Sequence, residues 1–401
     1  MILKTSKKIF AHVDCDSFFA SWEVLKNPKL KNKFVCVWWE IIVACTYNAK
    51  TLGIKTWTPI WEAKRILKDK WVFLLPDMWY YQDISYKLMD FLRYNTLNTE
   101  EFSIDEAFCE ITWIAELNKI SLEKYIINMQ ENILKQIWIP VSIWVSNTRI
   151  KAKIFSKINK PFWNYISLNH DKNIFSKLPI SIIPYIWKSY QNKLQYKAKT
   201  VYDFIQIWYP KLKELIWKNA TDLWLELSWV NAFVVKKSKQ IKSMSRWRSF
   251  NKQITNNKDF LYSQLLLNFN NLYEELTIKN FETKKVSIFF RDKEKMTSLF
   301  HFNLSSYIST REELLKYMQE LFNKFYDSWN LYRSTGIIFS KLKKTEFHQT
   351  SIFEKTNILE NNNTNLIKVI NAINSKFDRH KISFWSDLLN KNFDSKLWIR
   401  K

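Results

Sequence analysis

Glycine is almost missing from this chain. Only Gly53 and Gly336 occur in 401 residues, where ordinary usage of about 7% would give roughly 28. A mixed fold of this length turns many corners, and corners need residues that tolerate positive φ. No run of about 18 apolar residues occurs either, which excludes a transmembrane helix. Four cysteines (Cys15, Cys36, Cys45 and Cys109) are scattered without a C-x-x-C pair, which argues against a zinc site and a disulfide framework. Acidic residues are in deficit: 38 stand against 62 Lys and Arg, for a formal charge of +24. That excludes an acidic solvating chain and points to a polyanionic partner, nucleic acid before membrane. The opening MILKTSKKIFAHVD has no apolar segment ahead of a small-residue cleavage site, so a cytoplasmic location is expected.

What is abundant is equally informative. Hydrophobic residues make up 47% and aromatics 17%, enough for two or more domains with real cores. Tryptophan occurs 20 times, and often where a turn would call for glycine. Trp38-Trp39 follows the strand-like run Phe34–Val37, Trp57 lies in the short loop before Pro59, and Trp163 closes Lys160-Pro161-Phe162. A large ring is the worst substitute at such corners. Most of these positions read as UGA codons meant as glycine, with Trp224, in a helical context, expected to be genuine.

The pattern along the chain is α+β and multidomain. Residues 9–16 alternate and end in two carboxylates, as a strand leading to a site does. Residues 17–27 read as helix, 33–38 and 41–46 as strands, 59–69 as helix, 72–75 as strand and 80–97 as helix. Glu101–Ser103 and Ala107–Thr112 read as two strands around Ile104-Asp105-Glu106. A helix at 121–136, a strand at 140–146 and a helix at 148–158 complete an α/β unit. Residues 170–228 read as short helices broken at Pro179, Pro184 and Pro210. Residues 231–250 carry six cations and no acid, as a basic linker entering a strand would. The order predicted beyond it is β-α-β-β-α-β, a ferredoxin-like unit.

Chemistry concentrates at two acidic clusters. Asp14 and Asp16 end the first predicted strand, and Asp105-Glu106 occupy a predicted hairpin turn. Carboxylates at neighbouring strand ends can share divalent ions, and oxygen-only ligation suits Mg²⁺. Any one of these acids alone would more often be a solvated cap.

The surrounding motifs resemble those of the Y-family (DinB/UmuC-type) translesion DNA polymerases. His12-Val13-Asp14-Cys15-Asp16-Ser17-Phe18-Phe19-Ala20-Ser21 is similar to the family's first motif, an apolar strand, D-x-D or D-x-N, then F-[FY]-A-S. Ser103-Ile104-Asp105-Glu106-Ala107-Phe108 matches S-I-D-E-A-[FY] without a mismatch. Ile139-Pro140-Val141-Ser142-Ile143-Trp144-Val145-Ser146-Asn147 resembles the P-V-S-x-G-[IV] strand, and Lys153 with Lys160-Pro161 the A-K…K-P-x-G run. Reading Trp38, Trp39, Trp57, Trp61, Trp144, Trp163 and Trp187 as glycine improves every match.

The resemblance implies a right-hand polymerase. Its palm would be residues 1–17 and 80–168, small fingers 18–79, a helical thumb 169–230, a basic linker 231–242 and a ferredoxin-like little finger 243–344. A tail, 345–401, would follow. Asp14 and Asp105 would bridge two Mg²⁺ ions, Glu106 would complete the site, and the backbone carbonyl of Cys15 would ligate the nucleotide-side ion. Asp16 would have a local structural role. Tyr47, Lys50 and Lys160 would meet the incoming triphosphate. Phe19 would be the steric gate against a ribose 2′-OH, with Phe18 beside it in the nucleotide-binding set or in the core.

Lys50 stands where many relatives have arginine, keeping the charge but losing the bidentate fork. Ile186, Trp187 and Lys188 fall on the thumb's helix-hairpin-helix, although Tyr185 departs from its G-I-G turn. Lys242, Arg246 and Arg248 would grip duplex backbone. Gln349, Ile352 and Phe353 resemble the sliding-clamp peptide Q-x-x-[LI]-F. The implied partners are primer–template DNA, deoxynucleoside triphosphates and a sliding clamp, with the protein a monomer and no membrane involved. Two other readings remain open at this point. One is a non-catalytic DNA- or clamp-binding protein on the same fold. The other is a palm-fold nucleotide cyclase, which would not need the basic second unit.

Overall fold

A computed structural model describes residues 8–345, apart from 40, 69–70, 169–171, 187, 195, 216–217, 229, 234, 236–240, 251–253 and 295. The chain divides into two compact units, with the boundary between Lys239 and Gln240. That boundary falls inside the stretch read as a basic linker.

The first unit is built on a five-stranded sheet. Its strands run in the order Asn98–Glu101, Glu106–Glu110, Phe10–Cys15, Val141–Ser146 and Asn164–Ser167. Strand alternation explains the central one. Ala11, Val13 and Cys15 point to one face, where they pack against the helices Met78–Asn95 and Leu122–Ile137. Ile84, Leu88 and Leu92 on the first helix, with Ile126, Met129 and Ile133 on the second, repeat at helical spacing and fill that layer. Each such side chain contributes about 1.5–3 kcal/mol by its burial. Phe10, His12 and Asp14 point to the other face, which the helix Arg149–Phe155 partly covers.

Trp144, wholly buried, joins Ile150, Ile154 and Phe155 in a second core. The short helices that follow contribute Phe175, Leu194, Val201, Phe204, Leu223 and Leu227 to it. A separate three-stranded sheet, in the order Ile42–Cys45, Phe34–Trp38 and Trp71–Leu74, is packed on Ile54, Ala63 and Leu67.

Two local expectations shift. The acidic hairpin begins earlier than its apolar pattern predicts, as Asn98–Glu101 and Glu106–Glu110. The amides of Phe102 and Ser103 both donate to the carbonyl of Glu106, which makes 102–105 the turn. The strand Asn164–Ser167 is not anticipated at all. Four residues are too few to display a period, and it forms by parallel pairing with Val141–Ser146.

The second unit is the β-α-β-β-α-β arrangement expected. Strands Thr297–Ile308, Phe281–Asp292, Tyr332–Lys344 and Ser243–Ser249 lie in that order, all antiparallel. Helices Lys258–Ile278 and Arg311–Phe325 cover one face through Leu261, Leu265, Phe269, Leu314, Met318 and Phe322. The other face is open. Gly336 is obligatory there, because a Cβ would lie 2.4 Å from the Phe289 ring and 2.5 Å from Cβ of Trp247.

Candidate active site

The acidic clusters meet across the sheet. Asp14 is the register partner of Glu106 on one side and of Ser142 on the other. The amide of Cys15 donates to the carbonyl of Asp105 at 2.9 Å, which fixes the hairpin turn against the end of the first strand. Among the described residues, ligand atoms of His12, Asp14 and Glu106 lie within 4.8 Å of one another. The Asp105 carboxylate stands outside that closest set and accepts from the Ser103 hydroxyl. The Cys15 thiol is buried in the helix-facing core, and burial pushes its pKa well up. Its carbonyl, not its sulfur, is therefore the suitable ligand atom.

Two lysines balance these acids. Lys160 Nζ is 2.5 Å from Asp14 Oδ1, and Lys153 Nζ bonds Glu106 Oε2. His12 Nε2 is 3.2 Å from the same Glu106 oxygen. Burial works to raise the Glu106 pKa, but His12 and Lys153 outweigh it and hold the carboxyl at about 2. Burial raises the Asp105 pKa, and the charges of Asp14 and Glu106 add to it. Burial also lowers the pKa of His12. Lys50 and Lys157 also feel these acids, and the carboxylate oxygens gathered among them are the ligand type a hard divalent cation takes.

The residues expected to meet a triphosphate gather beside this cluster. Lys50 Nζ donates to Ser17 Oγ at 2.7 Å and lies 4.3 Å from the Tyr47 ring centre. The Tyr47 hydroxyl donates to Asp16 Oδ1 at 3.1 Å. Burial lowers the Lys50 pKa. The two phenylalanines separate. Phe18 is 4% exposed, within the sheet–helix core, as the core alternative expects. Phe19 is half-buried and stacks on Tyr81 with ring centres 4.4 Å apart.

The residues expected to contact DNA or a clamp are placed as follows. The Ile186 side chain is buried in the helical core, so it offers only backbone to a ligand. Tyr185 has a φ of 65°, the left-handed conformation that a G-I-G turn supplies with glycine,. Lys188 is exposed, whereas Trp187 lies outside the described residues. Lys242 is exposed. Arg246 shares the helix-covered side of its strand with the buried Met244, and it pairs with Glu275 at 2.6 Å. Arg248, two residues on, lies on the same side. The open face carries Lys285 and His301, which are register neighbours of Asn303 and Ser287. Gln349, Ile352 and Phe353 lie outside the described residues.

Sequence reasoning missed two contributors to the site, His12 and Lys153, and gave a third, Asp16, only a local role. His12 sits two residues before Asp14, so strand alternation alone places it on the same face. Lys153 appears in a motif without a role. Asp16 is tied to residues far away in sequence, which no local pattern reveals.

Two family models match the chain. One is the impB/mucB/samB family, over residues 13–157, and the other is that family's C-terminal domain, over residues 241–352. Together they span well over half of the sequence.

The chain belongs to the impB/mucB/samB family.

The similar relatives include several named DNA polymerase IV. That of Fusobacterium nucleatum subsp. nucleatum is 27% identical over 360 residues, which covers 86% of this chain and 99% of the relative. That of Acetivibrio thermocellus is 27% identical over 339 residues, 81% of this chain and 82% of the relative. Among solved structures, a Y-family DNA polymerase chimera matches with a TM-score of 0.72 at 21% identity, covering 84% of this chain and all of that one. The insertion ternary complex of Dbh DNA polymerase matches at 0.59 and 20% identity, with the same coverage. The fold is thus that of the Y-family polymerases, and the acidic cluster belongs to an impB/mucB/samB protein.

Proposed function

We propose that the chain is a template-directed DNA polymerase of the error-prone lesion-bypass type, adding deoxynucleotides to a primer 3′-OH without proofreading. The observation that carries this is the register pairing of Asp14 with Glu106, with Asp105 at the adjoining turn and Lys153 and Lys160 as counter-charges. Two Mg²⁺ ions would be held by Asp14, Asp105, Glu106 and the Cys15 carbonyl, and would stabilise the attacking and leaving oxygens of an in-line displacement. The protein's own groups do the rest. Tyr47, Lys50 and Lys160 orient the triphosphate, and Phe19 excludes the 2′-OH. The open face of the second sheet, with Lys285 and His301, meets duplex backbone without reading bases. The division into palm, fingers, thumb and little finger follows the boundaries given above. Primer extension by the purified protein tests the proposal, and binding without extension would support the non-catalytic reading instead.

Three further elements complete the reading. The protein acts as a cytoplasmic monomer. It docks on a sliding clamp through Gln349, Ile352 and Phe353. Most of its tryptophans are glycines in the native product, translated from UGA. Backbone geometry supports the last point: Trp57, Trp113 and Trp138 have φ values of 76°, 67° and 65°, a conformation costing about 1–2 kcal/mol for an L side chain. Trp138 also ends the helix Leu122–Ile137, where glycine is the usual cap,. Mass spectrometry of the protein from its native host decides this, because tryptophan at these three sites would refute it.

A further inference from the structure

Asp16 is wholly buried at the end of the central strand, and its carboxylate binds three separate parts of the first unit. Oδ1 accepts from the Tyr47 hydroxyl at 3.1 Å and from Ser142 Oγ at 2.9 Å. Oδ2 accepts from Ser142 Oγ at 2.9 Å and from the Phe162 amide at 2.7 Å. Ser142 Oγ in turn accepts from the Trp163 amide at 3.1 Å. Two consecutive backbone N–H groups of the loop that carries Lys160 are thereby anchored, one directly on Asp16 and one through Ser142. Lys160 projects from that loop to Asp14. Asp16 is itself fixed by its main chain, since its amide donates to the Pro140 carbonyl at 2.9 Å and its carbonyl accepts from Ser21 Oγ at 2.5 Å.

A buried carboxylate is costly unless it is fully hydrogen-bonded. A strand end needs no such group for its own stability. What this carboxylate adds is a common origin for the short helix Tyr47–Thr51 and the Lys160 loop, which lie more than a hundred residues apart in sequence.

We propose that Asp16 is a positioning residue for nucleotide binding, setting the Tyr47 ring and the Lys160 ammonium at the spacing a triphosphate requires. The inference rests on the reading that Tyr47 and Lys160 contact that triphosphate. Asp16 does not touch the nucleotide; it acts through these two groups. Asparagine is the conservative replacement: its amide oxygen could still accept from the Phe162 N–H, while its NH₂ would donate to the Tyr47 and Ser142 oxygens and reverse those bonds.

The test is steady-state single-nucleotide insertion on a saturating primer–template, comparing parent, Asp16→Ala, Asp16→Asn, Tyr47→Phe and Lys160→Ala. Misplaced binding groups raise KM for the nucleotide, so Asp16→Ala should raise it about tenfold, with a smaller change in kcat. Asp16→Asn should fall between it and the parent, because the loop anchor survives. If Asp16→Ala does not fold, Asp16→Asn carries the test alone. Adding Asp16→Ala to the Tyr47→Phe, Lys160→Ala double variant should cost little more, because the groups it acts through are gone. An unchanged KM in both Asp16 variants, with kcat falling only as the folded fraction falls, would overturn the proposal and leave a structural bolt. If Tyr47→Phe and Lys160→Ala themselves leave KM at the parent value, the triphosphate reading fails, and the proposal with it. If they raise KM and the Asp16 variants do not, only the proposal fails.

Discussion

Phe19 lies flat against Tyr81, ring centres 4.4 Å apart and planes 16° from parallel, while its neighbour Phe18 is sealed in the core. Adjacent residues of one type thus have different surroundings. Phe19→Ala should admit ribonucleotides, raising their use relative to deoxynucleotides by about a hundredfold or more, since exclusion by clash is removed by shrinking one side chain. Phe18→Ala should leave sugar choice unchanged and cost about 3–5 kcal/mol of stability. Single-nucleotide extension with matched sugars, together with urea denaturation, separates the two. Ribonucleotide entry in the Phe18 variant instead would reverse the assignment.

Arg149 and Glu100 form a nearly buried ion pair at 3.2 Å, with the guanidinium also 4.5 Å from the Phe108 ring centre. Removing one member of such a pair strands the other's charge, so Arg149→Ala should lose about 3–5 kcal/mol. The double variant Arg149→Met, Glu100→Leu should recover most of that loss. Equal losses in the single and double variants would show that the pair's electrostatics are not what matters there.

Glu226 is fully buried and accepts from the Phe233 amide at 2.8 Å and the Ile150 amide at 3.3 Å. Burial raises its pKa above the ordinary 4.5, even though these amides pull the other way. The folded state therefore holds a proton that the unfolded state has already released. Stability from this group rises as pH falls from the raised value toward 4.5, and is lost as pH rises through the raised value. Denaturation at a series of pH values should show this slope in the parent and not in Glu226→Gln. The same slope in both would assign it to another group.

The clamp reading has its own experiment. Replacing Gln349 and Phe353 by alanine should abolish stimulation by a sliding clamp while basal extension persists, because Phe353 and Ile352 would be the apolar anchors. Undiminished stimulation would reduce the motif to coincidence.

The legible parts of this protein share a physical reason. Asp14 was readable because a period-2 strand ends in acid, and Glu106 because its motif is specific. The helices at Met78–Asn95 and Leu122–Ile137 follow from apolar residues at helical spacing. The side of the sheet that Arg246 takes follows from parity: two residues after the buried Met244, it shares that side, where it stays exposed and pairs with Glu275. Asp16 was undervalued, since its partners Tyr47, Ser142 and Phe162 converge only when three distant segments fold together.

The most direct test of the account is primer extension by Asp105→Ala and Glu106→Ala, measured beside primer–template binding. The account predicts that nucleotide addition is abolished in both, because carboxylate ligands are lost, while DNA affinity persists on the unchanged basic surface. Extension at the parent rate by both variants would contradict the assignment of this carboxylate cluster as the catalytic centre.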